Sequence, residues 1–210
     1  MDCNEASVVE EEPIRPSGNW MSFEALRLNA VLIRMIIAVS GKIGSGKSTG
    51  ANYLRDKYGF KILSSRNLLS SILESKNSEV NRKNLQDLGS DLVALVGPGG
   101  LVAIMLEYLP SGDYVLGAVR YPGGINYLRS RYRGQFHHIH LITDDNLRYS
   151  RMRARNGLGV SVADFEKADA APTESGVSEL ERMADFRIKN VGSLQDLYSE
   201  LDHIYSSIVV

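Results

Sequence analysis

Cysteine is almost absent from this sequence, and Cys3 is the single one among 210 residues. A lone cysteine cannot close a disulfide within the chain, which excludes disulfide-stapled secreted domains and leads us to expect a cytoplasmic protein. Charge of one sign is also lacking, because 24 lysines and arginines face 25 aspartates and glutamates. This balance gives no strong nucleic-acid signal and is not that of an acidic disordered chain.

Long apolar runs are lacking as well. The longest candidate, residues 30–39, is interrupted by Arg34, whereas a membrane-spanning helix needs about 20 consecutive apolar residues. The first twelve residues contain five acidic and no basic residues, a charge pattern opposite to that of secretory and organelle-targeting segments. We therefore expect no membrane segment and interpret residues 30–39 as part of a buried strand.

The strongest positive signal is a phosphate-binding loop at residues 41–48, GKIGSGKS, which fits the pattern Gly-x-x-x-x-Gly-Lys-Ser. Its glycines let the backbone turn tightly and bring bare N–H groups close to a polyphosphate. Those groups lie at a helix N-terminus, where the helix dipole also favours anions. The predicted nucleotide-binding residues of the loop are Gly41, Gly44, Ser45, Gly46, Lys47, Ser48 and Thr49.

Two side chains of this P-loop have defined chemical roles. Lys47 would contact the β- and γ-phosphates, and the Ser48 hydroxyl would ligate magnesium. The predicted cofactors are therefore ATP and Mg2+, and the predicted metal ligand is Ser48.

Apolar segments alternate with helical segments after residue 34. We predict strands at residues 35–40, 60–63, 114–119, 136–142 and 186–189. We predict helices at residues 47–57, 67–74, 81–96, 101–109, 125–131, 146–155, 174–184 and 194–205. Strands separated by helices imply right-handed crossovers, so the expected fold is α/β: a three-layer α/β/α P-loop NTPase fold with a five-stranded parallel sheet.

The other segments are predicted to form an extension, an insertion and a lid. Residues 1–34 are acidic and then rich in turn residues, so we expect a flexible N-terminal extension or sequence included by an early start codon. Residues 35–210 are the expected P-loop domain. Within it, residues 66–110 form a helical acceptor-binding insertion and residues 148–173 a lid, of which residues 156–173 are expected to be flexible.

Arginines follow two of the predicted strands. Arg120 comes just after the third strand, and Arg148, Arg151 and Arg155 recur at helical spacing after the fourth strand. These three arginines would share one helix face. That face is either a solvated basic surface or a cationic wall that closes over the transferring phosphoryl group.

Carboxylates are missing where a kinase for a hydroxyl acceptor needs a base. The second strand is followed by Ser64 and Ser65, and the third contains Gly117 and Ala118. A phosphate acceptor is already anionic at pH 7 and mainly needs positive charge. The missing base therefore favours a phosphomonoester, such as a nucleoside monophosphate, as the acceptor.

Other polar clusters have simpler interpretations. Asp144 and Asp145 could approach magnesium through water, but at the start of a helix they are typical N-capping residues. His137, His138 and His140 alternate in the fourth strand. Because no cysteine or spaced acid completes a ligand set, this pattern favours strand positions over a metal site.

The chain resembles the P-loop nucleotide kinases, in particular the group that contains deoxynucleoside monophosphate kinases and dephospho-CoA kinase-like proteins. The resemblance covers residues 35–204 and departs from the family in two respects. Gly117-Ala118 stands where the family usually has Asp-Gly, and Ser64 or Ser65 stands where many members carry an Asp after the second strand. It rests on the P-loop, Arg82-x-x-x-Gln86-x-x-Gly89, Val119-Arg120-Tyr121-Pro122, Arg148-x-x-Arg151-x-x-x-Arg155 and Ala184-Asp185-x-x-Ile188-x-Asn190-x-Gly192-Ser193-Leu194.

The resemblance implies roles for residues outside the P-loop. Asn190 and Gly192 would line the adenine pocket. Arg82 and Gln86 would bind the acceptor together with Arg120. The alternative for Arg82 and Gln86 is a plain surface helix. The implied catalytic residues are Lys47, Arg120, Arg151 and Arg155.

Our main hypothesis is a Mg-ATP-dependent phosphotransferase for a (deoxy)nucleoside monophosphate. One alternative is dephospho-CoA kinase or another kinase of a hydroxyl acceptor. An alternative of another class is an ATP-binding regulatory protein that has lost catalysis with its acids. The expected partner is a small phosphorylated molecule, and a homodimer remains open.

Overall fold

A central parallel sheet is the framework of this protein. The computed structural model describes residues 33–107, 109–117, 119–156, 161–170 and 176–209, so the predicted extension falls outside the described residues except for its end. The described residues form five strands in the order β2-β3-β1-β4-β5, each parallel to its neighbours. The strands are β1 (Ile33–Ser40), β2 (Lys61–Leu63), β3 (Gly112–Leu116), β4 (Phe136–Ile142) and β5 (Phe186–Lys189).

Helices cover both faces of this sheet. They are α1 (Lys47–Tyr58), α2 (Ser65–Ser75), α3 (Arg82–Leu106), α4 (Pro122–Arg131), α5 (Asp145–Asn156), α6 (Val162–Asp169), α7 (Val177–Met183) and α8 (Leu194–Ile208). Since successive side chains of a strand point to opposite faces, β1 contributes alternately to two cores. The predicted three-layer α/β/α fold with a five-stranded parallel sheet is confirmed.

The two cores contain different helices. The first joins β1 to α3, α4 and α7 through Ile36, Ala38, Val102, Leu106, Ile125, Leu128 and Leu180. The second joins β1 to α1 and α8 through Ile37, Val39, Ala51, Leu54, Leu197, Leu201 and Ile204. The P-loop leaves β1 between these two layers, at the carboxyl edge of the sheet, where ligands of such folds bind.

The third strand is shorter than predicted and displaced towards the N-terminus. It was expected at residues 114–119, but β3 covers Gly112–Leu116. Its neighbour β2 pairs with it only as far as Leu63 and Leu116, and the next residue, Ser64, already caps α2. Leu116 is also the last residue of β3 that pairs with β1, and Arg120 lies in the connection to α4.

The third helical segment consists of two helices that meet at a kink. Two helices were predicted on either side of residues 97–100, and within α3 the break lies at Gly97, which is non-helical at φ 73° and ψ 165°. Residues 83–106 are long and apolar enough to cross a membrane by length and composition, which corrects our expectation of no such segment. The break at Gly97, followed by Pro98, leaves two helical pieces that are each shorter than a membrane span.

The segment predicted to be flexible contains a helix. Residues 157–160 and 171–175 lie outside the described residues, but α6 occupies Val162–Asp169. A reciprocal capping box between Ser161 and Asp164 starts it, and Phe165 is buried. The prediction of a flexible stretch is therefore wrong for residues 161–170, because Ser-x-x-Asp is itself a helix-start signal.

Substitution of Leu201 tests the second core. Leu201→Ala removes a fully buried side chain, so we expect the free energy of unfolding to fall by about 3 kcal/mol in chemical denaturation. Leu194, on the same helix, is 60% exposed, and Leu194→Ala should cost less than about 0.5 kcal/mol. Equal losses in the two variants would contradict this packing.

Candidate active site

The P-loop backbone lies in direct contact with three neighbouring segments. A Cβ atom on Gly41 would come within 2.5 Å of the Leu141 carbonyl oxygen. One on Gly44, at φ +79°, would come within 2.7 Å of the Arg148 carbonyl oxygen. Two features therefore require glycine at position 44. The backbone is left-handed there, and the contact leaves no room for a side chain.

Gly46 forms the start of α1 and leaves its amides open. It is the N-cap of the helix, at φ 99°, and provides no side-chain capping bond. The first turn of α1 also carries no acidic side chain. Without a capping side chain or an acid, the N-terminus of this helix and its dipole make the turn a suitable site for an anion.

Asn190 holds the outer side of the loop. Its Nδ2 donates to the Ser45 carbonyl at 2.8 Å, and the Thr143 hydroxyl donates to the Asn190 carbonyl at 3.1 Å. Asn190 is buried, so this amide fixes the P-loop to the segment after β5. No pattern in the sequence indicates this contact, since the two residues are far apart along the chain.

Lys47 reaches back over its own loop. Its Nζ donates to the carbonyls of Gly41 at 2.6 Å and Lys42 at 2.7 Å. The ammonium group thus lies inside the loop that the glycines shape. Its charge is held beside the open amides of α1, where a polyphosphate would need it.

A cavity of about 690 Å³ opens over the loop, and we call it the P-loop cavity. Lys47, Ser48 and Thr49 form its floor. It brings together most of the predicted nucleotide-site residues, although Gly41 and Ser45 do not line it. The predicted residues on its walls are Gly44, Gly46, Lys47, Ser48, Thr49, Arg120, Arg151, Arg155, Asn190 and Gly192.

Arg151 contributes to this cavity a positive charge that a bound anion would neutralise. Its Nη1 is buried and has no hydrogen-bond partner within the part of the chain that the structure describes. Burial lowers the pKa of its guanidinium, because a desolvated cation without a counter-charge is unfavourable. A bound phosphate would supply both the acceptor atoms and the charge.

A second cavity, of about 300 Å³, adjoins the first and is largely apolar. Ser48, Gly117 and Arg120 line both cavities, so they stand at the junction. The apolar walls of the second cavity, which we call the apolar cavity, are Ala51, Ile62, Leu63, Pro98, Leu101, Val102, Met105, Leu116 and Val119. Its polar lining includes Asn52, Ser64, Ser65 and Tyr121.

A third cavity, of about 260 Å³, lies beside the insertion, and we call it the insertion cavity. Gln86 and Arg120, both predicted to bind the acceptor, line it together with Arg66. Arg82 begins α3, but its side chain is outside the described part of the structure. Arg120 is thus the residue shared by all three cavities.

Carboxylates are absent from these walls. Among the residues that the structure describes, none lining the three cavities is an aspartate or a glutamate. Ser64, which follows β2, accepts a hydrogen bond from the Arg66 amide at 3.2 Å and caps α2. The described site therefore offers cations and hydroxyls to an acceptor but no carboxylate base.

Arg148 does not belong to the expected cationic wall. Its side chain is fully buried and forms ion pairs with Asp145 and Asp169, both at 2.6 Å. It lies one helical turn before Arg151, yet it is not among the residues that line the P-loop cavity. The shared face was a sound prediction from spacing, but burial assigns this arginine to the interior.

The two aspartates at the start of α5 also have defined places. The Asp144 carbonyl accepts the first helical hydrogen bond, from the Arg148 amide at 2.9 Å, which is the position of an N-cap. The Asp145 carboxylate accepts from Arg148 Nη2. Neither aspartate lines the P-loop cavity.

Two of the three alternating histidines support the strand that leads into the loop. Ser40 Oγ lies 2.7 Å from His138 Nε2 and 2.8 Å from His140 Nδ1, and all three residues are buried. Since a hydroxyl has one proton, it donates to one ring and accepts from the other. No group of three or more metal-ligating side chains occurs in the described residues.

Comparison with known proteins supports the fold. No family model matches this chain. A UPF0200 protein of Aeropyrum pernix is 27% identical over 169 residues, covering 80% of this chain and 90% of the relative.

Two solved structures are similar across most of the chain. TT1252 from Thermus thermophilus has a TM-score of 0.55 and 22% identity, covering 83% of this chain and 98% of its own. Shikimate kinase from Acinetobacter baumannii, in complex with shikimate, has a TM-score of 0.54 and 16% identity, covering 82% and 93%. These likenesses agree with the P-loop fold.

A methyl group on Gly44 tests the close contact with α5. Gly44→Ala meets both the positive φ and the Arg148 backbone, so we expect ATP affinity, measured by titration of a fluorescent analogue, to fall at least about 100-fold. Gly59→Ala is the matched control, since Gly59 also has a positive φ, +75°, but nothing lies within 4 Å of its added Cβ. It should lose stability, about 1 kcal/mol, and keep its affinity; a parallel loss of affinity would refute the contact argument.

The histidine pair predicts acid sensitivity. Burial, reinforced by the charge of His140, lowers the pKa of His138 from 6.5 to about 4. Burial likewise lowers the pKa of His140 to about 4. The unfolded chain therefore binds protons that the folded chain does not, and the free energy of unfolding should fall as the pH drops from 6.5 towards 4. One histidine accounts for about 2 kcal/mol at pH 5.

Urea denaturation across this pH range measures the effect. His138→Gln and His140→Asn keep a polar atom near the bonded ring nitrogen but do not titrate, so each should flatten the pH profile relative to its own stability at pH 7. His203→Asn, at an exposed position of α8, is the control. Unchanged slopes in both core variants would contradict the assignment.

Proposed function

We propose that this protein is a Mg-ATP-dependent phosphotransferase that phosphorylates a small phosphorylated acceptor, a (deoxy)nucleoside monophosphate. The observation that carries the proposal is the position of Arg120. This one residue lines the P-loop cavity, the apolar cavity and the insertion cavity. A group at such a junction can contact a phosphate donor and a phosphate acceptor together.

The donor side fits a nucleoside triphosphate. The glycines let the loop pack directly against Leu141, Arg148 and Asn190. Gly46 places no capping side chain on the first turn of α1, and Lys47 supplies charge. Arg151 Nη1, which has no hydrogen-bond partner among the described residues, favours a bound anion. When magnesium is bound, it neutralises phosphate charge, and Ser48 would hold it.

The arginines would divide the remaining work. Arg120 would orient the acceptor phosphate, while Arg151 and Arg155 would stabilise the charge that develops on the transferring phosphoryl group. Both face the P-loop cavity. Gly192 and Asn190 line the same cavity, and the family resemblance suggests that they would approach the nucleotide base.

The acceptor follows from what lines the two smaller cavities. A hydroxyl acceptor, as in dephospho-CoA kinase, benefits from a carboxylate that takes its proton, and none is present on the described walls. A phosphate acceptor needs no such base. Aliphatic walls next to Arg120 suit a base and sugar attached to that phosphate, with Gln86 on the insertion side.

An ADP-release assay tests the proposal across nucleoside monophosphates, deoxynucleotides and dephospho-CoA. We expect turnover that depends on a monophosphate and that falls at least about 100-fold in Lys47→Ala, because the lysine stabilises the transferring phosphate. Lys61→Ala is the matched control, because this exposed lysine lies at the amino end of β2, whereas the P-loop lies at the carboxyl ends of the strands.

Other results would favour the alternatives. Phosphorylation of dephospho-CoA alone would show that the argument from the missing base is wrong. Tight ATP binding without turnover on any acceptor would instead support an ATP-binding regulatory protein.

A further inference from the structure

Asp169, at the end of α6, binds two cations from different parts of the chain. Its Oδ1 accepts from Arg148 Nη1 at 2.6 Å, and its Oδ2 accepts from Arg148 Nη2 at 3.0 Å. The same Oδ2 accepts from Lys42 Nζ at 3.2 Å. Lys42 is a residue of the P-loop, and Arg148 is a residue of α5, so one carboxylate joins three segments.

Arg148 is the buried centre of this cluster. Its side chain is 0% exposed, whereas Asp169 is 17% and Lys42 45% exposed. Arg148 Nη1 also donates to the Ile43 carbonyl at 3.1 Å, and the guanidinium lies 5.0 Å from the centre of the Phe165 ring. A buried guanidinium is tolerable only with such partners, because its desolvation must be offset.

The charge state of Asp169 supports a lasting pair. Burial raises the pKa of its carboxyl, but hydrogen bonds and charge from Arg148 and then Lys42 outweigh that effect and lower the pKa. The carboxylate is therefore ionised at neutral pH. Bidentate pairing with an arginine is the strongest geometry for such a contact.

The cluster can set the position of the phosphate-site arginines. Gly44 lies directly against the Arg148 backbone, because a Cβ atom on Gly44 would come within 2.7 Å of the Arg148 carbonyl oxygen. The loop and α5 therefore cannot shift independently. Arg151 is one helical turn beyond Arg148 and Arg155 one turn further. Anchoring Arg148 to the P-loop consequently fixes both arginines relative to the loop.

We propose that Lys42, Arg148 and Asp169 form a positioning clasp, in which Asp169 ties α5 and α6 to the P-loop so that Arg151 and Arg155 face the bound phosphates. These three residues act through others and are positioning residues. The inference rests on the proposed function for the identity of the ligand, MgATP. It extends that function by assigning the first variable position of the P-loop, Lys42, to an internal contact.

Binding of MgATP by isothermal titration calorimetry tests the clasp without an acceptor. Asp169→Asn keeps the shape and removes the charge, and we expect its Kd to rise about 10–30-fold per folded molecule. Asp169→Glu restores the charge and should stay within about threefold of wild type. Asp56→Asn is the matched control, because Asp56 forms an exposed pair with Arg55, at 2.7 Å, near the far end of α1.

A second variant keeps the test valid if Asp169→Asn folds poorly. Lys42 is half exposed, so Lys42→Met should fold, and we expect its Kd to rise about tenfold. In a clasp the double variant Lys42→Met, Asp169→Asn should bind no more weakly than Asp169→Asn alone. Additive losses would mean that Lys42 acts on the phosphates directly and would overturn the proposal.

Two outcomes separate this inference from the proposed function. If wild type binds MgATP but phosphorylates nothing, the proposed function fails and the clasp is still judged by the Kd ratios. If wild type is an active kinase and Asp169→Asn has wild-type Kd and turnover, the clasp is refuted and the proposed function stands. Hydrogen exchange of α6 amides, expected to accelerate at least tenfold in Asp169→Asn, reports the same contact without ligand.

Discussion

The bare backbone of the P-loop is the constraint on which the rest of the site depends. A loop that presents amides to a polyphosphate has no side chains of its own with which to hold its shape. Here its neighbours hold it: α5 lies against Gly44, and the Asn190 amide binds the Ser45 carbonyl. Ser40, at the end of β1, is fixed by two buried histidines. The loop keeps its shape because these neighbouring contacts hold its backbone in place.

Arginines with similar spacing serve opposite purposes around this loop. Arg148 is sealed in the interior and forms ion pairs with two aspartates, whereas Arg151, one turn further, lines the P-loop cavity. Arg148 stabilises the scaffold, whereas the charge of Arg151 can be neutralised by a bound anion. The described walls of the three cavities that share Arg120 carry no carboxylate, which favours anionic ligands there.

Most elements of the fold could be predicted from the sequence, because apolar runs bounded by helical segments report their own conformation. Two failures concern the limits of an element and an overlooked local signal. β3 ends at Leu116, where its pairing with β1 and with β2 ends, although the apolar run continues. The helix α6 was predictable in principle from Ser161 and Asp164, yet polar composition concealed a capping box and one buried aromatic ring.

The sequence by itself determined the phosphate loop, since eight contiguous residues specify both its turns and its chemistry. It also determined the parallel sheet, through the alternation of strands and helices. Only the tertiary structure decided which charges face the site, because pairing and burial join residues far apart, such as Arg148 with Asp169 and Lys42 with the same carboxylate. Spacing along a helix gives a shared face, but desolvation decides which member of that face is neutralised inside the protein and which stays available to a ligand.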